Sequence, residues 1–232
     1  MNDTTFVLLL DSISKEPIIV IDDAISLTKY ISIDFSIENE ELNIIDVSSS
    51  KALGMYVDTY LEKHKCQAAY GGYLEKRNIY SRSEYFKNDT LEDERNIHLG
   101  IDLWCKEKTK VLAVLNGEIH SFQNNTNVGD YGPTIILKHT VRGVEFYSLY
   151  GHLSLDSIKH INVGDSLRQG AVIGTLGTAK VNGDYPPHLH FQLIKDLQYN
   201  FGDYPGVSSK KTLDFYAKNC PDPNLLLKLI NR

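Results

Sequence analysis

The chain has 232 residues, 42% of them hydrophobic and 10% aromatic, enough for one large domain or a domain with a smaller partner. A net charge of −6 argues against nucleic acid or an anionic membrane surface as the main partner, because either would ask for a basic patch. Cys66, Cys105 and Cys220 are dispersed and odd in number, with no Cys-x-x-Cys, which excludes a disulfide framework and a thiolate metal site.

The first apolar run, Phe6 to Leu10, stops after five residues and has no positively charged stretch before it. No run approaches the roughly 20 apolar residues of a membrane span. The expectation is a soluble, reduced, cytoplasmic protein with no membrane partner. Residues 1–66 read as a small α+β segment. Pro17 to Ile21 is a short apolar strand candidate, and Tyr30 to Ile37 alternates with Ile31, Ile33, Phe35 and Ile37 on one face. Ser48-Ser49-Ser50 caps a helix running to about His64, with Ala52, Leu53, Tyr56, Val57, Tyr60 and Leu61 in one packing stripe.

Residues 67–97 are polar and aromatic and read as an irregular strap, whose Tyr70, Tyr73, Tyr80, Arg82 and Tyr85 are candidates to line a cleft. From 98 to 195 the pattern is mainly β. Lys110 to Leu115, Gly117 to Phe122, Thr134 to His139, Glu145 to Tyr150, Ala171 to Leu176 and His188 to Leu193 are predicted strands. Glycine turns at 129–132, 142–143 and 163–165 separate them, a spacing that predicts a sandwich or barrel-like sheet. Residues 196–232 read as a loop followed by a short helix from Asn224 to Ile230, with Asp222-Pro223 as its cap and first turn.

Three short stretches carry chemistry. In Pro187-His188-Leu189-His190-Phe191 the period of a strand puts His188 and His190 on one face and Leu189, Phe191 and Leu193 on the other. In His98-Leu99-Gly100-Ile101-Asp102 the histidine and the carboxylate would lie roughly 13 Å apart on a straight strand, so a bend must join them, and Gly100 favours one. In the third, Tyr150-Gly151-His152, the alternation assigns His152 to the face of Phe146, Ser148 and Tyr150, at a strand end. His139 is a further candidate; His64, His120 and His160 receive no role. His98, Asp102 and His190 make a set of two histidines and a carboxylate, the three protein ligands of a catalytic zinc with one open position. Iron(II) accepts the same set, but its usual sequence pattern has His-x-Asp or His-x-Glu as the first pair. His152 and His188 are left as imidazoles suited to acid–base work beside such an ion.

These motifs, with Ala113 to Ile119, Ile135 to His139 and Val163 to Gly174, resemble the LytM/lysostaphin-type zinc metallopeptidases of family M23 over residues 98–193. The resemblance implies an antiparallel β-sheet groove of the M23, duplicated-hybrid-motif-like kind holding one zinc, with His98, Asp102 and His190 as ligands. It gives His152 and His188 the roles of base and transition-state stabiliser around the reacting water. It implies an endopeptidase acting on peptides or peptidoglycan fragments. Tyr80 and Tyr85 are the candidates here for the tyrosine that some relatives use on the oxyanion. The flanking regions look like those of M23 domains fused to aminotransferase- and kinase-like modules in intracellular proteins, which keeps a cytosolic amide or peptide-metabolite hydrolase as the alternative. Pro186-Pro187 before His188 and Glu107 to Lys110 after the first motif depart from the usual family pattern. A non-catalytic regulator would have lost ligands or flanking histidines, and all five are in place. A biotinyl-type carrier needs a lysine displayed between methionines, and the only methionines are Met1 and Met55.

Overall fold

A computed structural model describes residues 2–82 and 93–229. Among these residues the chain is mainly β. Its strands are β1 (Tyr30–Ser32), β2 (Ala68–Gly71), β3 (Arg95–His98), β4 (Ile101–Trp104), β5 (Lys110–Leu112), β6 (Gly117–Asn125), β7 (Gly132–Val141), β8 (Val144–Gly151), β9 (Ser166–Leu167), β10 (Val172–Thr175), β11 (His188–Ile194) and β12 (Val207–Ser209). The helices are α1 (Asp3–Asp11), α2 (Ser50–His64), α3 (Leu213–Asn219) and α4 (Asn224–Leu227). One large sheet runs in the order β1-β2-β4-β11-β8-β7-β6-β9, antiparallel except for β1 on β2. The pairs β5 with β10 and β3 with β12 form two small sheets beside it. No described helix is long and apolar enough to cross a membrane.

Strand alternation divides the large sheet. Leu189, Phe191 and Leu193 of β11 join Phe146 and Tyr150 of β8 and Ile135 and Leu137 of β7 in the main core. The other face of β11 carries His188, His190 and Gln192. Helix α1 closes the core side with Phe6, Leu9 and Leu10, its Phe6 ring edge-on to Phe146 at 5.8 Å. Helix α2 begins at the expected cap, Ser49 accepting from the Ala52 amide at 3.3 Å, and buries Leu53 and Val57 against Phe35 and Trp104.

Several expectations need correction. Pro17 to Ile21 is not a strand; only Ile21 makes an isolated bridge, to Val111. The strand from Tyr30 stops at Ser32, because Asp34 bonds the Ser36 amide in a side-chain turn and the Ile37 amide reaches Lys76 instead. The strap is not irregular throughout: Ala68 to Gly71 is an inner strand of the large sheet, and Arg95 to His98 is β3. Tyr70 packs in the core and the Tyr73 hydroxyl donates to the Cys220 carbonyl, so neither lines the cleft. Tyr85 lies outside the described residues, as does the side chain of Arg82. The last helix ends at Leu227, and Ile230 also lies outside them.

His139 lies apart from His98, Asp102 and His190. It is fully buried in β7, its Nδ1 2.9 Å from the Asn116 carbonyl and its Nε2 2.7 Å from the Ser148 hydroxyl. Burial pushes its imidazole down to about 4. The folded value is depressed, so this stabilisation is whole above the unfolded value near 6.5 and is lost as pH falls through about 4. A shift of this size corresponds to about 3 kcal/mol. Urea unfolding of His139→Gln should therefore weaken less between neutral pH and about pH 4 than that of the wild type, and equal slopes would contradict the assignment.

Candidate metal centre

The register of the large sheet assembles the site. Across it, His190 of β11 stands opposite Asp102 of β4 and Gly151 of β8, and one step along, His188 stands opposite Trp104. His98 arrives from β3, which turns into β4 through Leu99-Gly100. Gly100 is needed for more than the bend. A Cβ there would sit 2.7 Å from the Phe191 carbonyl oxygen and 2.8 Å from His190 Cε1, so the His190 ring lies where a side chain would be. Gly100→Ala is expected to cost about 1–3 kcal/mol by overpacking and to weaken metal binding by moving His190. An unchanged Tm with unchanged zinc affinity would refute this.

His98, Asp102 and His190 are buried, and their ligand atoms converge within 4.8 Å of one another, so the three could hold a metal ion. His98 Nε2 lies 2.8 Å from His190 Nδ1, and each is 3.2 Å from Asp102 Oδ1. Ligand atoms tetrahedrally placed on a zinc would be roughly 3.3 Å apart. The tautomers follow from the partners. His98 Nδ1 faces the Gly72 carbonyl at 2.9 Å, which can only accept, so the proton is on Nδ1 and Nε2 carries a lone pair. His190 Nε2 faces Gln192 Oε1 at 2.9 Å; the Gln192 amide nitrogen is already donating to the Pro205 carbonyl and to Cys220 Sγ. The proton of His190 is therefore on Nε2, and its Nδ1 carries a lone pair. Two imidazole lone pairs and a carboxylate oxygen thus point at one another with no proton between them. That arrangement repels itself when bare and is satisfied by a cation.

Electrostatics keep His98 and Asp102 in the right protonation state. Burial pushes His98 down to about 4, with the Arg77 guanidinium acting in the same sense. For Asp102 burial acts upward, but His98 and Arg77 outweigh it and hold the carboxyl well below the usual range. Arg77 donates to Asp102 Oδ2 at 2.5 Å and to Glu75 Oε2 at 2.5 Å.

His152 and His188 lie beside this cluster, ring centroids 4.2 Å apart. His188 Nδ1 donates to the Pro186 carbonyl at 2.8 Å and its ring stacks on Trp104 at 4.0 Å. Its Nε2 is 3.9 Å from Asp102 Oδ1. His152 Nδ1 donates to the Asn182 carbonyl at 2.8 Å. The strand alternation misplaced this residue. His152 has a left-handed φ of 64°, which takes its ring out of the Phe146–Tyr150 face to meet Tyr131, Tyr185 and His188. Burial pushes His188 down to about 4 and His152 well below its ordinary value, so each is neutral at neutral pH with Nε2 free to accept a proton.

Tyr80, Tyr131, Trp104, Tyr185, Tyr204 and Arg77 line the same cleft. The Tyr131 hydroxyl lies 3.3 Å from His190 Nε2 and the Tyr80 hydroxyl 3.4 Å from the Arg77 guanidinium. Sequence reading missed Tyr131 and Arg77, which stand in no periodic pattern; the Asp130-Tyr131-Gly132 turn was the nearest signal.

Residues 96–201 match the model of a family described as peptidase family M23. No curated protein matches the chain. A putative M23 peptidase from Pseudomonas aeruginosa is similar at 18% identity over 58% of this chain and 45% of that one, TM-score 0.38. The catalytic domain of the antimicrobial peptidase lysostaphin from Staphylococcus simulans is similar at 26% identity over 52% of this chain and 80% of that one, TM-score 0.35. The catalytic domain of a point mutant of the prophage-encoded M23 protein EnpA from Enterococcus faecalis is similar at 22% identity over 56% and 87%, TM-score 0.38. The chain thus spans less than half the length of the Pseudomonas protein. The family-matched segment, residues 96–201, contains all five of His98, Asp102, His152, His188 and His190 and is similar to peptidase family M23.

Proposed function

We propose that the chain is a zinc-dependent endopeptidase, with His98, Asp102 and His190 as metal ligands and His152 and His188 as the acid–base pair. The observation that carries this reading is the convergence of His98 Nε2, His190 Nδ1 and Asp102 Oδ1, each within 3.2 Å of the others. A zinc bound there would supply a Lewis acid and bring the pKa of a water ligand to about 7. The chain's own contribution is orientation and proton transfer. The carbonyls of Pro186 and Asn182 fix His188 and His152 as Nδ1–H tautomers, which leaves both Nε2 atoms available to the reacting water. One takes the proton from the attacking water and returns it to the departing amine, and the other stabilises the charge that develops.

Aromatic side chains of Tyr80, Trp104, Tyr131, Tyr185 and Tyr204 crowd the cleft around the cluster. The proposed substrates have small residues beside the broken bond, glycine above all, as in glycyl peptides or peptidoglycan-type cross-bridges. A small cytosolic amide or peptide metabolite is the alternative substrate, and three unpaired cysteines agree with a cytoplasmic setting. The test is to incubate the zinc-loaded full chain with glycyl peptides, muropeptides and a cytosolic peptide pool and to read products by mass spectrometry. Cleavage beside glycine that a chelator abolishes is expected. Cleavage that survives complete zinc removal, or no cleavage in any pool, would overturn the proposal.

A further inference from the structure

We infer that Arg77 is a positioning residue that holds Asp102 as a one-oxygen metal ligand; this rests on the metal centre proposed above. Arg77 lies upstream of the family-matched segment, and nothing in the motifs points to it. Its guanidinium is 3% exposed and fixed from several sides. It donates through Nη1 to Asp102 Oδ2 at 2.5 Å and through Nε to Glu75 Oε2 at 2.5 Å, and it lies 5.7 Å from the Phe35 ring centroid. Glu75 is held in turn, its Oε1 accepting from the Phe35 amide at 3.1 Å.

The backbone ties this assembly to the metal cluster. The Arg77 amide donates to the Asn96 carbonyl, the His98 amide to the Glu75 carbonyl, and the Leu74 amide to the His98 carbonyl, each at 2.9 Å. The segment from Gly72 to Arg77 therefore positions two ligands at once: the Gly72 carbonyl orients His98, and Arg77 orients Asp102. Gly72 adopts φ +101°, and a Cβ on it would fall 1.8 Å from Arg77 Nη2, so glycine is what lets the guanidinium in.

The chemical consequence concerns the second carboxylate oxygen. A free Asp can bind a cation through both oxygens, which raises the coordination number and suits large, hard ions. With Oδ2 occupied by the guanidinium, only Oδ1 faces His98 and His190, which suits a low-coordinate zinc. Removing Arg77 alone would also remove a positive charge beside a dication, and that effect acts in the opposite direction. Glu75 offers a way to separate the two. Replacing Glu75 and Arg77 together by glutamine leaves the net charge unchanged and removes the guanidinium donor to Oδ2 along with its ion pair to Glu75.

The experiment compares wild type, Glu75→Gln/Arg77→Gln and Arg77→Lys as full-length proteins. Zinc affinity is measured by competition with a chromophoric chelator, and coordination by the visible spectrum after cobalt(II) loading. The double variant is expected to bind zinc 10–100-fold more weakly, the range found for partners of metal ligands, and to show altered cobalt bands. Arg77→Lys, which keeps the charge without the planar fork, is expected to recover part of the affinity and none of the wild-type cobalt spectrum. Wild-type affinity and cobalt bands in a folded double variant would overturn the inference, as would tighter zinc binding. Should the double variant not fold, Arg77→Lys decides alone: an unchanged cobalt spectrum refutes the role. A wild type that takes up no zinc would sink the metal centre itself, an outcome distinct from these.

Discussion

Replacing His190 by alanine is expected to empty the site of zinc after dialysis, while the wild type retains one ion per chain. His190 is the residue through which the large sheet delivers its ligand. Its Nδ1 stands 2.8 Å from His98 Nε2 and 3.2 Å from Asp102 Oδ1, and its other nitrogen is pinned by Gln192. Without it, one imidazole and one carboxylate oxygen face the site, too few for a protein zinc centre. The metal-free fold should survive, because the substitution also removes one of the two lone pairs that repel each other when the site is bare. Two measurements check this. Elemental analysis after dialysis should find zinc in the wild type and none in the variant. Added zinc at a hundredfold excess over Kd should stabilise the wild type by about 2.7 kcal/mol and leave the variant's unfolding unmoved. Full occupancy in the dialysed variant would remove His190 from the ligand set.

What could be read from the sequence, and what could not, follows the range of the interactions. Between Gly117 and Ile194 each predicted core strand has a counterpart within a few residues. Helix α2 announced itself through its serine cap and apolar stripe. Helix α1 did not: Phe6, Leu9 and Leu10 form a helical stripe, but Val7 and Leu8 are apolar too, and the run looks like a bare apolar patch. Strand β2 was hidden because Ala68, Ala69 and Tyr70 are all buried, so no polar alternation marks it. The five proposed site residues were legible as types at telling spacings, whereas their surroundings were not. That Gly72 orients His98, that Arg77 grips Asp102 and that Tyr131 approaches His190 are contacts across 26, 25 and 59 residues of chain. Local spacing carries no trace of them.

His188→Ala and His152→Asn are expected to keep zinc and fold yet to lose hydrolysis by about 10²–10⁴-fold, the usual contribution of a positioned acid–base group. The substitutions differ because the backbones differ. His188 begins a regular strand, where alanine is harmless, whereas His152 sits at φ 64°, a conformation asparagine tolerates better than alanine. Neither residue is needed to hold the ion on the geometry seen. His188 Nε2 is 3.9 Å from Asp102 Oδ1, against 3.2 Å for the nearest nitrogens of His98 and His190. A fourth protein ligand would close the position that a reacting water needs. Both rings are buried and neutral, and their free nitrogens face the cleft rather than the backbone carbonyls that hold the opposite edge. Zinc content, thermal unfolding and turnover on a glycyl peptide, measured on the same preparations, separate the roles. A folded His188→Ala protein that has lost its zinc would make His188 a ligand. Turnover within tenfold of wild type in both variants would take proton transfer away from this pair.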